Sequence, residues 1–255
     1  MKTIKIDLPE TTPLIEVHPL ADLHIGDPLA DMQLIRKRIQ HIADTENAFA
    51  IINGDIMNNA TATSVSDVYS EAMNPDRQLD EVVDLLIPIK DKIWSITPGN
   101  HEDRTYKKEG IDLTKRIARE LGLMDRFSKV SSLIFVRFGR NVKQRRMVYT
   151  IYTLHGSGGG KKPGGKANRL ADMAGIVDAD IYIHSHTHLP MVMREAFYRV
   201  NMPNSTICQV DKLFINTGAT LDYGGYGEKF EFKPSSKETP IIYLAGDRKE
   251  MIAKL

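Results

Sequence analysis

The sequence predicts an α/β fold of the α+β sandwich type, with two β-layers and helices outside them. Two observations point there. Strand and helix patterns alternate early in the chain, and strand-rich segments follow later. Five short polar clusters also sit directly after runs that read as buried strands: Asp22-Leu23-His24, Gly54-Asp55, Gly99-Asn100-His101-Glu102, His155-Gly156 and His186-Thr187-His188. Loops at the carboxyl ends of strands in open α/β sheets converge on one crevice, so wide separation in sequence is no obstacle.

Taken in order, Ile15–Leu20 reads as a strand broken by Pro19. From Asp31 to about Thr45 the apolar positions Leu34, Ile35, Ile39 and Ile42 return at helical spacing. Ala48–Ile52 is continuously apolar, as a strand covered on both faces should be. The stretch from Met57 to about Asp76 is polar and irregular. Residues Gln78–Lys92 carry a second helical pattern through Val82, Val83, Leu85 and Leu86, with Pro88 set to end or kink it. Ile93–Thr97 is the next strand, and Asp112–Leu123 a third helix. Leu133–Phe138 and Met147–Leu154 read as a hairpin around the basic Gly139–Arg146 connection. A glycine-rich loop, Gly156–Gly165, leads to a short helix near Leu170–Val177 and the strand Ile181–Ile183. Short strands then follow at Val192–Ala196, Leu213–Thr217, Lys229–Phe232 and Ile241–Leu244.

The 255 residues fit one domain spanning 1–255. The apolar runs are too short to cross a bilayer, so no membrane partner is expected. Asp7, Pro9 and Glu10 interrupt the N-terminus before a signal-like stretch forms. The lone Cys208 leaves no internal disulfide framework and fits a reducing, cytoplasmic setting; it reads as a buried small residue. Net charge is only +1, yet Arg137–Arg169 holds nine Lys/Arg and no acid, so the rest of the chain carries −8. That asymmetry gives one face suited to anions, or a hairpin kept soluble by its charges.

The polar clusters supply two carboxylates, one amide and four imidazoles, without a thiolate. That set suits manganese, iron, zinc, cobalt or nickel better than calcium or magnesium. It exceeds what one ion needs; two metals sharing a carboxylate would use it all. Singly, Asp22, Asp55 and Asn100 are also what helix caps and turns require. The His186/His188 pair has no comparable plain role. His18 and His41 lie outside every cluster and read as structural or exposed, and His184 as a polar residue ending a strand.

In identity and order, these clusters resemble the five blocks of the calcineurin-like metallophosphoesterase superfamily over about residues 15–190. The resemblance implies two mixed β-sheets packed face to face in a four-layer architecture. It implies that Asp22, His24 and His188 hold one metal and Asn100, His155 and His186 a second, with Asp55 bridging them. Two divalent transition-metal ions are the implied cofactors, manganese leading, with Fe, Zn, Co or Ni as alternatives. The implied reaction is phosphoester hydrolysis by a metal-bridging hydroxide, with His101 as catalytic helper, stabilising the transition state or protonating the leaving oxygen. Ser185 stands where the family usually has glycine, which puts the loop geometry in question.

Gly160-Lys161-Lys162-Pro163-Gly164-Gly165-Lys166 has the spacing of a nucleotide-binding P-loop. Ala167 replaces the magnesium-binding hydroxyl and Pro163 removes a backbone donor, so no ATP site is expected. Lys161, Lys162 and Lys166 are instead candidates for gripping phosphates beyond the scissile one. A phosphodiester, as nucleotide or nucleic acid, is therefore the leading substrate and partner. A small phosphomonoester, or a non-catalytic metal-binding scaffold, is the alternative.

Overall fold

The computed structural model describes residues 1–255 except 63, 65, 66, 141–145 and 159, and leaves aside the side chains of 140, 146 and 226. In chain order the strands are β1 (Lys2–Asp7), β2 (Leu14–Leu20), β3 (Ala48–Asn53), β4 (Ile93–Thr97), β5 (Ser131–Arg140), β6 (Arg146–Leu154), β7 (Ile181–His184), β8 (Met191–Asn201), β9 (Thr206–Asn216), β10 (Ile241–Ala245) and β11 (Met251–Lys254). The helices are α1 (Met32–Asp44), α2 (Pro75–Leu86), α3 (Asn100–Glu109), α4 (Leu113–Glu120), α5 (Pro163–Asp172) and α6 (Gly225–Lys229).

The strands form two mixed sheets, β11-β10-β2-β3-β4 and β1-β5-β6-β7-β9-β8. Alternation along each strand sorts side chains between the faces. Ile15 and Val17 of β2, Ile51 of β3 and Trp94 of β4 face Ile134, Val136, Ile151, Ile181 and Ile215 of the other sheet, forming one continuous buried layer. The opposite face of the first sheet sends Leu20, Ala50 and Ile52 against Ile35, Ile39 and Ile42 of α1 and Val82 and Leu86 of α2. Tyr152, Tyr182 and Phe214 of the second sheet pack with Leu170 of α5. Each such aliphatic side chain contributes about 1.5–3 kcal/mol on full burial. The result is the helix–sheet–sheet–helix layering implied by the family resemblance.

Local chemistry sets the boundaries. Asp31, Asn74 and Asp112 cap α1, α2 and α4, each accepting the N–H three residues on. Pro19 does not break β2. The antiparallel pairing with β10 ends at Val17, so only the β3 side is laddered beyond it and no donor is lost.

Several expectations are corrected. The Gly156–Gly165 loop is shorter than expected, because α5 starts at Pro163, whose fixed φ suits a first helical turn; the helix ends at Asp172 and a 3-10 turn follows. Lys229–Phe232 is not a strand: Lys229 ends α6 and a turn follows. β8 and β9 are eleven residues each, well beyond the short strands expected, because their outer halves pair only with each other and show no buried alternation. Cys208 lies on this exposed arm and is itself exposed. β1, β11 and α3 have no counterpart in the sequence reading. The basic connection after Gly139 falls largely at 141–145, outside the described residues. No described helix is long and apolar enough to cross a membrane.

Candidate metal centre

The five clusters meet where β2, β3 and β4 of one sheet and β6 and β7 of the other end side by side. Asp22 and Asp55 are buried, as are His24 and His155. Three overlapping groups, Asp22/His24/His188, His24/Asp55/His101 and Asp55/His155/His186, each bring ligand atoms within 4.8 Å of one another. His24 Nε2 lies 3.2 Å from His188 Nε2, and His188 Nε2 is 3.4 Å from Asp22 Oδ1. His155 Nε2 is 3.2 Å from Asp55 Oδ2 and 3.3 Å from Asn100 Oδ1. Asp55 thus stands between the two sets.

Backbone geometry aims these groups. Asp22, His24, Asp55, His186 and His188 all adopt left-handed φ, between 49° and 67°. That conformation is uncommon for residues with a Cβ and is strained away from glycine. It turns both members of Asp22/His24 and of His186/His188 into the same space. Gly54 and Gly99 let the β3 and β4 loops touch: a Cβ on Gly54 would lie 2.5 Å from the Gly99 nitrogen, and one on Gly99 would lie 2.1 Å from Asp55 Oδ1.

Residues that sequence reasoning passed over hold the cluster together. Asn53 is a buried hub. Its amide donates to Ser185 Oγ (2.7 Å) and Leu154 O (3.1 Å), and its Oδ1 accepts from Thr153 Oγ1 at 2.7 Å. Ser185, whose place in a glycine position was questioned, fits: its hydroxyl takes the Asn53 bond and its N–H donates to His155 O at 3.0 Å. Glu102 accepts four backbone N–H groups, from Asp55, Ile56, Met57 and Gly99. Burial, then the neighbouring Asp55 charge, pushes its carboxyl up to about 7. Four donors leave no acceptor for a carboxyl proton, so the ionised form is the one these bonds hold. Thr217 Oγ1 and the His186 N–H steady Asp22. The signal available in sequence was a polar residue ending an apolar run, Asn53 before Gly54.

Electrostatics favour a cation at the centre. Burial alone would raise the Asp55 carboxyl, but His155, His101 and His24 hold it well below the usual carboxylate range. Burial opposes charge on His155, yet Asp55 and Asp22 outweigh it and raise the imidazole to about 10. Burial, then His155, brings His186 down to about 4. His101 is lowered by burial, with Asp55 opposing. Its Nδ1 lies 2.6 Å from Asn58 O and its Nε2 3.0 Å from Arg104 Nη2. A neutral ring satisfies both contacts, donating from Nδ1 and accepting at Nε2. His184 Nδ1 bonds Asn216 Oδ1 at 2.9 Å, behind Gly156.

The donor set fits divalent metal ions. His24 Nε2 and His188 Nε2 converge at 3.2 Å beside the Asp22 carboxylate, an arrangement that a shared cation relieves. The three lysines are placed unequally. Lys166, within α5, donates to Thr187 O at 2.6 Å, between the two histidines. Lys161 lies 3.8 Å from Glu231 and Lys162 is exposed at the start of α5; neither joins the cluster.

The two-sheet sandwich gathers nitrogen and oxygen donors at its strand ends, a candidate site for divalent metal ions. The family model described as calcineurin-like phosphoesterase matches residues 20–190. The chain belongs to the calcineurin-like phosphoesterase family. Among solved structures, it is similar to a conserved uncharacterized protein of Streptococcus pneumoniae TIGR4, described as a predicted phosphoesterase, at 12% identity, covering 96% of this chain and 100% of that one with a TM-score of 0.37. It is also similar to a single mutant of Vps29 from Entamoeba histolytica at 15% identity, 94% and 100% coverage and a TM-score of 0.45. Wild-type Vps29 of that organism, complexed with zinc, gives 12% identity, 94% and 97% coverage and a TM-score of 0.40. Comparison with curated protein sequences gives no significant match.

Proposed function

We propose that this chain is a divalent-metal-dependent phosphoesterase acting on a phosphodiester, of nucleotide or nucleic acid type. The observation that carries the reading is the convergence of Asp22, His24, Asp55, Asn100, His155, His186 and His188 on one space, with His101 and Arg104 beside it. In this reading Asp22, His24 and His188 hold one ion, Asn100, His155 and His186 a second, and Asp55 contacts both. Bound there, such ions would acidify water and offset negative charge on a phosphate, with manganese the first candidate.

The chain's own groups do the rest. Asp55 Oδ1 accepts the His101 N–H at 2.9 Å, which fixes the first turn of α3 against the cluster. Asn58 O fixes the ring through Nδ1 and leaves Nε2 toward the site. An incoming phosphate oxygen can take the Arg104 N–H that Nε2 now accepts, which frees Nε2 to accept the proton released by the attacking water and pass it to the leaving oxygen. The diester assignment is supported by Lys166, held beside Thr187 between the two histidines, where it would meet a further phosphate.

The test is to load the protein with manganese and compare an aryl phosphomonoester, an aryl phosphodiester, and single- and double-stranded DNA. Faster turnover of diester or DNA than of monoester is expected. A monoester preference would replace the substrate assignment. No turnover of any of them by the loaded protein would sink the enzyme reading in favour of a metal-binding scaffold.

A further inference from the structure

A second cluster of histidine and carboxylate side chains lies apart from this site, on the helical face of the first sheet. Glu16 and His18 are two residues apart on β2, so they share a face. His41 belongs to the last turn of α1, which packs over that face. The three groups are brought together only by helix-on-sheet packing. His18 Nε2 lies 3.1 Å from Glu16 Oε2, and His41 Nε2 lies 2.9 Å from the same oxygen. The ring centroids are 5.3 Å apart. All three ligand atoms fall within 4.8 Å of one another.

We propose that Glu16, His18 and His41 form a separate site for one divalent transition-metal ion of the zinc, nickel or cobalt type. Two imidazole nitrogens and one carboxylate oxygen are a donor set those ions favour. In a tetrahedral shell with bonds of 2.0–2.2 Å, neighbouring ligand atoms stand roughly 3.3–3.6 Å apart, so the 3.1 and 2.9 Å contacts seen here need open by only a few tenths of an ångström to admit an ion. Exposure is graded in a way that suits a site with an entry path: the His18 side chain is 8% exposed, Glu16 23% and His41 49%. The buried members are fixed by the strand, and the open side leaves room for water as a fourth ligand. The nearby Arg38 guanidinium donates to the Lys237 carbonyl. An ion here would tie the end of α1 to β2 and would touch none of the groups assigned to hydrolysis.

The experiment counts ions. Protein stripped with chelator is dialysed against excess zinc or nickel, passed through a desalting column, and analysed for bound metal per chain. The wild type is expected to hold one ion more than His41→Ala, and one more than Glu16→Gln. Both positions are partly exposed, and circular dichroism checks that the variants fold. Cobalt loading gives a second reading, since the wild-type-minus-variant absorption should show a nitrogen-ligated ion. Phosphoester turnover of manganese-loaded variants should match the wild type. Equal metal counts in wild type and both variants would overturn the proposal. Failure of the phosphoesterase reading would show only in the turnover, so the two are separable.

Discussion

His155 Nδ1 lies 2.7 Å from the backbone carbonyl oxygen of Asn53, on the adjoining sheet. That contact fixes the ring's orientation: Nδ1 donates, and Nε2 is presented to Asp55 and Asn100. One residue thereby ties both sheets through its backbone and its side chain. Replacing Asn53 by Ala removes the side-chain half and leaves Thr153 and Ser185 hydroxyls without their buried partner. The expected cost is about 1–3 kcal/mol for each group left unsatisfied. Metal affinity should fall about 10–100-fold, the usual effect of losing a group that orients ligands. Thermal unfolding and metal titration together check this, and an unchanged melting temperature would count against the hub.

His101→Ala should retain bound metal and lose turnover by about 10²–10⁴-fold. Metal content and kcat, measured on one preparation, separate the two effects. An unchanged kcat would remove His101 from the reaction.

Glu102→Gln is expected to be among the most damaging single changes. The amide NH₂ would face backbone N–H donors that now meet a carboxylate oxygen. The loss should reach about 3 kcal/mol or more, read by denaturant unfolding, with turnover falling in step. Full stability in this variant would show that the four N–H bonds are dispensable.

Lys166→Ala, alone and with Lys161 and Lys162 replaced, should raise KM on DNA while barely changing an aryl ester. The DNA effect should shrink as salt is added, because remote phosphate contacts are screened. Equal changes on both substrates would assign Lys166 a structural role at the Thr187 carbonyl.

Alkaline stability follows from Tyr149, whose hydroxyl is packed among the carbonyls of Ala245, Arg248 and Glu250 and accepts the Glu250 N–H. Burial pushes this phenol up from 10.0 to about 12. Between those values the unfolded chain has given up the proton and the folded chain has kept it. Its contribution is therefore complete below pH 10 and lost as pH rises to about 12. Tyr149→Phe should be less stable at neutral pH and should lose less stability across that window, measured by urea titration at each pH.

Legibility from sequence tracked apolar patterning. Ala48–Ile52 and Ile93–Thr97 were readable because they are almost wholly buried, and α1 because Ile35, Ile39 and Ile42 repeat on one face. α3 was invisible: Glu102 is its only buried residue, so no apolar stripe marks it, and its first turn is spent on the metal cluster. α5 was misplaced because Gly164 and Gly165 argue against a helix that Pro163 nevertheless starts. The polar clusters were legible as a set because each ends a strand. Asn53 was not, since a single amide carries no pattern. Glu16, His18 and His41 were unreadable for another reason: 25 residues separate Glu16 from His41, and only the seating of α1 on β2 joins them.

The candidate centre straddles the seam between the sheets. Asp22, Asp55 and Asn100 come from one sheet's strand ends, and His155, His186 and His188 from the other's. Neither half of the polypeptide carries a complete set, so an ion bound there would work as a rivet between two plates. Its affinity would gauge how firmly the sheets are docked, and chelation should loosen the sandwich along its full width rather than disturb one loop.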